Sequence, residues 1–184
     1  VKLIRLGENH GFSYACNEGA KAASGEIIYL LNSDIKVSSG FLAPIIPLFE
    51  DADLFAVSST EAPDPSAQAS ARDDISVPFV KFKWGIFWYW YGAISKRDYL
   101  ASGFRGIEVF CVSGGHAAFD KKKYIGLGGF DALFSPFYAE DGDICWRAWK
   151  RGWKSLVEPR SVVAHACQGT IGKLYPRREI QRIH

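Results

Sequence analysis

Two short stretches hold the residue types that could do chemistry. In the first, Ile27-Ile28-Tyr29-Leu30-Leu31 is followed at once by Asn32-Ser33-Asp34. Five apolar or aromatic residues without alternation predict a strand covered on both faces, an inner strand of a parallel sheet. Ligands of open α/β sheets bind beyond the carboxyl ends of the strands, so Asn32, Ser33 and Asp34 stand where a ligand is expected. The second stretch is Tyr138-Ala139-Glu140-Asp141-Gly142-Asp143, with Ile144, Cys145, Ala148 and Trp149 behind it at helical spacing. That spacing puts Glu140 and Asp141 at a helix N-terminus, where the dipole favours the ionised carboxylate. Asp143 reads as a structural partner of Arg147 at i,i+4. His165 closes an apolar run, a place where a lone histidine is more often structural than a ligand.

These residues need elements to position them. Val1 to Leu6 reads as a strand, residues 7–12 as a loop, and Ser13 as the cap of a helix running to about Ala23 that ends at Ser24-Gly25. With the strand ending at Asp34, this predicts a strand, helix, strand unit and a parallel pair with a right-handed crossover. Ser38-Ser39-Gly40 opens a short helix through Phe49, although Pro47 is awkward in a helix interior. Phe55 to Ser58 is a further strand. Residues 61–74, rich in Ala, Pro, Ser and Asp, read as a mobile loop. Phe79 to Ile94 is dense in aromatics, and three readings stay open for it: core packing, a platform for a sugar or acceptor, or contact with a lipid surface through Trp84–Tyr91. Glu108 to Ser113 reads as a strand before Gly114-Gly115, a pair that lets backbone approach a ligand or another segment. Ala117 to Phe119, Ser155 to Val157 and Ser161 to Ala164 are three more short strands. The glycines of residues 126–131 do not match a dinucleotide fingerprint.

Composition sets the bounds. The 184 residues are the size of one domain with a substantial core; 48% are hydrophobic, 23% charged and 15% aromatic, with a net charge of +2. No basic patch calls for nucleic acid, and the only basic concentration is the tail at 168–184. Cys16, Cys111, Cys145 and Cys167 form no C-x-x-C pair, so a reduced cytoplasmic setting is expected. No run approaches the ~18 apolar residues of a membrane span.

In their order and wording these segments resemble the family 2 glycosyltransferases of the GT-A fold, rhamnosyltransferase-like in layout. The resemblance rests on Glu8-Asn9-x-Gly11-Phe12 with Asn17 and Gly19, on Leu30 to Asp34, on Ser113-Gly114-Gly115 and on Gly128-Gly129-Phe130-Asp131. It continues through Phe137-Tyr138-x-Glu140-Asp141-x-Asp143 with Arg147 and Gly152, and ends at His165-x-x-x-Gly169. It implies an α/β fold with a mostly parallel central sheet flanked by helices, in one domain over residues 1–184 whose first, nucleobase-holding strand lies before Val1.

The resemblance also implies roles. Asp34 takes the metal-binding position of an Asp-x-Asp element, with His165 as a further metal contact for Mn2+ or Mg2+. Asn9, Gly11, Asn17, Asn32, Ser33, Gly114 and Gly115 would face the nucleotide-sugar donor. Asp141 matches the general base, and Glu140 positions acceptor or base. The activity implied is inverting transfer to a glycan or lipid-linked acceptor in cell-envelope or surface glycan synthesis, in the cytoplasm or peripheral to its membrane. The Gln-x-x-Arg-Trp element of processive members is absent, which favours single additions. Two other classes stay open: a non-catalytic carbohydrate-binding or scaffold module, and, ranked last, a nucleotidyltransferase.

Overall fold

The computed structural model describes residues 2–62, 74–84, 86–136 and 138–165. The loop expected at 61–74, Phe137, and the tail with Cys167 and Gly169 therefore lie wholly or mostly outside the described residues.

The described chain runs α1 (Phe12–Ala22), β1 (Ile27–Leu31), β2 (Ile35–Val37), a 3-10 turn (Ile46–Glu50), β3 (Leu54–Glu61), β4 (Asp74–Lys83), β5 (Ile86–Ser95), α2 (Lys96–Ser102), β6 (Ile107–Val109), β7 (His116–Asp120), α3 (Lys121–Gly126), a second 3-10 turn (Ala132–Phe134), α4 (Glu140–Trp149) and β8 (Lys154–His165). The main sheet has the order β1-β7-β3-β8-β2, with β6 also on β8. The α/β class is as expected, and β1, β3 and β8 all run one way. Only β3 and β8 pair in parallel, because β7 lies between β1 and β3 and runs against both. β2 and β6 are likewise antiparallel to β8.

Several local expectations are corrected, each for an identifiable reason. Residues 2–6 form no strand, and β1 is the terminal strand of the described sheet, with Ile28 buried and Leu31 47% exposed. The strand buried on both faces is β3. Its Phe55 and Ala56 join a core with Phe119, Tyr124, Phe130 and Ile144, while Leu54 and Val57 join Ile45, Leu48 and Ala118 in a second cluster. Helix α1 is capped by Gly11 at φ 84°, which leaves Ser13 inside the helix. The helix expected after Gly40 is a series of turns ending in a 3-10 segment, because Pro47, near its start, has no N–H to offer an α-helical ladder. The two strands read at 155–157 and 161–164 are one, β8. A register shift opposite Ser59 and Thr60 absorbs Pro159, and fully buried Glu158 is held there by Arg160 at 2.7 and 2.8 Å.

The aromatic-rich stretch is a separate two-stranded hairpin, β4–β5. Core packing accounts for its root, where Ile75 and Val77 pack with Tyr99, Val109 and Val157. Trp84, Trp88, Trp90 and Tyr91 are exposed. Among the described residues no helix is long and apolar enough to cross a membrane.

Candidate active site

At the carboxyl end of β1 the chain turns sharply, the Ile35 N–H donating to the Asn32 carbonyl at 3.1 Å, and β2 returns against the end of β8. The turn sets Asp34 beside the last residue of β8: Asp34 Oδ2 lies 3.3 Å from His165 Nε2. Two residues far apart in sequence are thus neighbours. Ser33 is exposed in the same turn.

Gly114-Gly115 joins this corner to the second acidic stretch. The Gly115 carbonyl accepts from the Asn32 N–H at 2.9 Å, and a Cβ on Gly115 would come within 2.7 Å of the Asn32 side-chain nitrogen. On the other side, the Gly114 N–H donates to Asp141 Oδ2 at 3.3 Å, and a Cβ on Gly114 would meet the Asp141 Cβ at 3.5 Å. Gly115 is required for this contact, since a Cβ there would displace the Asn32 amide, whereas a Cβ on Gly114 would sit at ordinary contact distance from Phe130 and Asp141.

Helix α4 begins abruptly. Tyr138 and Ala139 both have positive φ, 77° and 70°, a conformation that costs non-glycine residues roughly 1–2 kcal/mol each. This backbone turns Asp141 toward Gly114, and its Oδ1 also accepts from the Gly142 N–H at 2.8 Å. Glu140 takes the opposite course. It is 7% exposed, and its Oε2 is buried without a hydrogen-bond partner. Burial pushes its carboxyl above the usual range and the Asp141 charge adds to this, against two backbone N–H groups. Burial, with help from Glu140, also holds the Cys16 thiol up at about 12. Cys145 is raised as well, chiefly by burial. Neither is a thiolate nucleophile at neutral pH.

Other expected site residues prove to have structural work. Asn17 is the hub of the 124–130 loop: its amide donates to the Phe130 carbonyl at 2.9 Å and accepts from the Phe130 N–H at 2.9 Å and the Tyr124 hydroxyl at 2.8 Å. That commitment gives Asn17 a structural role in holding the loop. The Asn9 side chain accepts from the Gly11 N–H at 2.9 Å, so the pair shapes the entry to α1. Asp143 pairs with Arg147 at 2.6 Å, and Arg147 also donates to the carbonyls of Leu127 and Gly129.

Two residues that the sequence pattern does not single out stand beside Asp34 and His165. His116, 5% exposed, is the first residue of β7, and its Nε2 lies 3.0 Å from Glu61 Oε1. The same oxygen is 3.7 Å from His165 Nδ1. A histidine directly after Gly-Gly at a strand start was a visible signal. Glu61 was hidden because the loop assigned to 61–74 swallowed it, whereas β3 runs through it.

A cation fits this corner chemically. One carboxylate and one imidazole suit Mn2+, which accepts mixed O and N ligands. Among the described residues no group of three or more His, Cys, Asp or Glu is arranged to hold a metal, so the remaining ligands would come from a bound diphosphate or water, as is usual where a cation bridges phosphates.

The fold is that of the GT-A glycosyltransferases. Over 88% of the chain it superposes on 31% of the structure of GalNAc-T7 with UDP, GalNAc and Mn2+, at TM-score 0.66 and 18% identity. Over 98% it superposes on 43% of the mannosyltransferase PcManGT from Pyrobaculum calidifontis in complex with GDP-Man and Mn2+, at TM-score 0.63 and 19% identity. Residues 1–127 match glycosyl transferase family 2, and the chain belongs to that family. It is similar to a probable N-acetylgalactosaminyltransferase 9 of Caenorhabditis elegans, 27% identical over 90% of this chain and 29% of the relative. It also resembles human polypeptide N-acetylgalactosaminyltransferase 13, 23% identical over 96% of this chain and 32% of the relative. The chain thus spans about a third or less of the curated relatives it matches.

Proposed function

We propose that this domain catalyses inverting, single-addition transfer of a sugar from a nucleotide-sugar donor to a hydroxyl acceptor, with a divalent cation held by Asp34 and His165 and with Asp141 as general base. The observation that carries this reading is the contact of Gly114-Gly115 with Asn32 on one side and Asp141 on the other. It supports a reading in which the Asp34–His165 corner and Asp141 serve one ligand. Family membership and the Mn2+-containing neighbours support donor and metal.

Asp34 and His165 would hold Mn2+, or Mg2+, against the donor diphosphate; the bound cation supplies neutralisation of charge on the leaving group. The chain's own residues do the rest. Gly114 and Gly115 present backbone without side chains to the donor, and Asn32 offers a polar edge beside them. The acceptor oxygen forms a bond to the anomeric carbon as the bond from that carbon to the diphosphate oxygen breaks and its electron pair departs with the nucleoside diphosphate. The hydroxyl proton passes to Asp141, aimed by the Gly114 and Gly142 N–H groups. Glu140, buried beneath, packs the start of α4 and fixes the direction of Asp141.

The acceptor is a hydroxyl on a glycan or lipid-linked sugar of a surface glycan. The named activities of the curated relatives favour a polypeptide hydroxyl as a second reading. Offering both acceptors with a donor panel separates them, and NMR of the product anomer tests inversion. The decisive variant is Asp141→Asn: transfer falls by about 10²–10⁴-fold while donor binding survives, the range expected for loss of a general base. Turnover unchanged from wild type would remove Asp141 from that role.

A further inference from the structure

The β4–β5 hairpin takes no part in the chemistry proposed above. Its root is anchored, since Ile75 and Val77 are buried with Tyr99, Val109 and Val157. Just beyond the root, Phe79 lies over Gly92, where a Cβ would come within 2.6 Å of the ring, and stacks on Trp90 at 5.8 Å. From that pair the two strands run on in register to Lys83 and Ile86, four residue steps or roughly 14 Å. This outer part carries the exposed rings. Trp84, in the turn at φ 57°, is 81% exposed and Tyr91 is 66% exposed, with Trp88 and Trp90 exposed beside them. Two lysines are interleaved with the rings. Lys81 is the cross-strand partner of Trp88, and the Lys83 ammonium lies 4.1 Å from the centroid of the Trp84 ring. Both lysines are exposed.

Charge and composition choose among the surfaces that could cover these rings. Between Asp74 and Asp98 the sequence has no Asp, Glu, Asn or Gln, and it carries Lys81, Lys83, Lys96 and Arg97. A sugar platform needs polar groups placed around the stacking ring to fix the orientation of its ligand, and carboxylates and carboxamides are missing from this stretch. A second copy of the chain would bring a second set of the same bases to the contact, which disfavours it. Exposed Trp and Tyr with lysines and no acid complement the headgroup layer of an anionic bilayer, where amphipathic rings settle and basic side chains meet lipid phosphates. We propose that the outer part of the β4–β5 hairpin docks this domain on an anionic lipid surface, with Trp84 and Trp88 in the headgroup layer and Lys81 and Lys83 against lipid phosphates. The proposal does not rest on the roles given to Asp34, His165 or Asp141.

The test sediments the full chain with vesicles of phosphatidylcholine alone, or of phosphatidylcholine mixed with phosphatidylglycerol, at low and at high salt. Wild type is expected to pellet with the mixed vesicles at low salt and to be released at high salt, because salt screens exposed charges. Its tryptophan fluorescence should be quenched by lipids brominated near the headgroup. Lys81→Gln with Lys83→Gln should weaken partitioning by about 10–30-fold, from the contribution of each base near an anionic surface. Trp84→Ala with Trp88→Ala should weaken it by at least about tenfold and remove most of the quenching. These four side chains are exposed, so both paired variants should melt as wild type does. Wild type left in the supernatant of the mixed vesicles at low salt, with its fluorescence unquenched, would overturn the proposal. Pelleting that neither pair of substitutions changes would overturn it as well. A fluorescence shift with soluble glycans, or dimerisation lost in the tryptophan variant, each without vesicle binding, would overturn it in favour of a sugar platform or a second copy.

Discussion

At the scale of single residues, the two adjacent acids of α4 have opposite environments. Asp141 accepts two backbone N–H groups at the site surface, whereas Glu140 is buried with an orphan oxygen. The fold raises the Glu140 pKa above its ordinary value of 4.5, so the fold favours the protonated form. Stability from this group is fully present below the unfolded value and is lost as pH rises through the raised one. Glu140→Gln removes the ionisation. Melting curves should show the variant gaining on wild type from about pH 5 upward and no such gain near pH 3.5, below the ordinary range. A gain that is the same at both pH values would show that burial of the charge is not the cause. Helix spacing placed both acids at a helix start, and the resemblance set Asp141 apart as base from Glu140 beside it; the left-handed backbone of Tyr138 and Ala139 that goes with their different environments was not legible.

At the scale of elements, Arg147 and Asn17 are the fastenings. Arg147 ties α4 to the carbonyls of Leu127 and Gly129, and Asn17 ties α1 to the same loop. A Cβ on Gly129, at φ 72°, would come within 2.2 Å of Asn17 Oδ1, so the loop and the hub fit only together. Arg147→Ala leaves Asp143 and two carbonyls without their charged partner. A hydrogen bond to a charged group contributes about 1.5–3 kcal/mol; because Arg147 is partly exposed and water replaces some of its bonds, a loss of at least about 2 kcal/mol is expected, read as a shift in the urea midpoint with unchanged slope. A midpoint within error of wild type would mean the network contributes nothing. Gly115→Ala acts differently: the new methyl displaces Asn32, so donor binding should weaken at least severalfold with little change in melting temperature. Unaltered donor binding would mean that Asn32 is not at the donor. The family wording singled out Asn17, but its role is legible only once the loop is seen to close on it.

At the scale of the whole molecule, sequence pattern was most informative where one element does one job. The helix opening at Glu140 and the strand ending at His165 stand where pattern and the resemblance put them, and the strand before Asn32 forms as expected but at the sheet's end rather than inside it. It was less informative where partners are distant. β7 pairs between β1 and β3, a placement no local pattern announces, and together with β2 and β6 running against β8 this makes most strand pairs of the sheet antiparallel. Pro159 splits the pattern of β8 although the strand itself continues past it. His116 and Glu61 meet only because β3 runs on past Ser58 to its end beside β8.

The central claim is that the Asp34–His165 corner and Asp141 face a single ligand surface joined by Gly114-Gly115. Mn2+ bound at the corner reports on it directly, because the ion broadens NMR signals of nearby nuclei. The amides of Gly114, Gly115 and Gly142 should broaden at the lowest Mn2+ additions, and Asp34→Ala should abolish the effect. Sharp signals from all three, with other regions broadening first, would contradict the account.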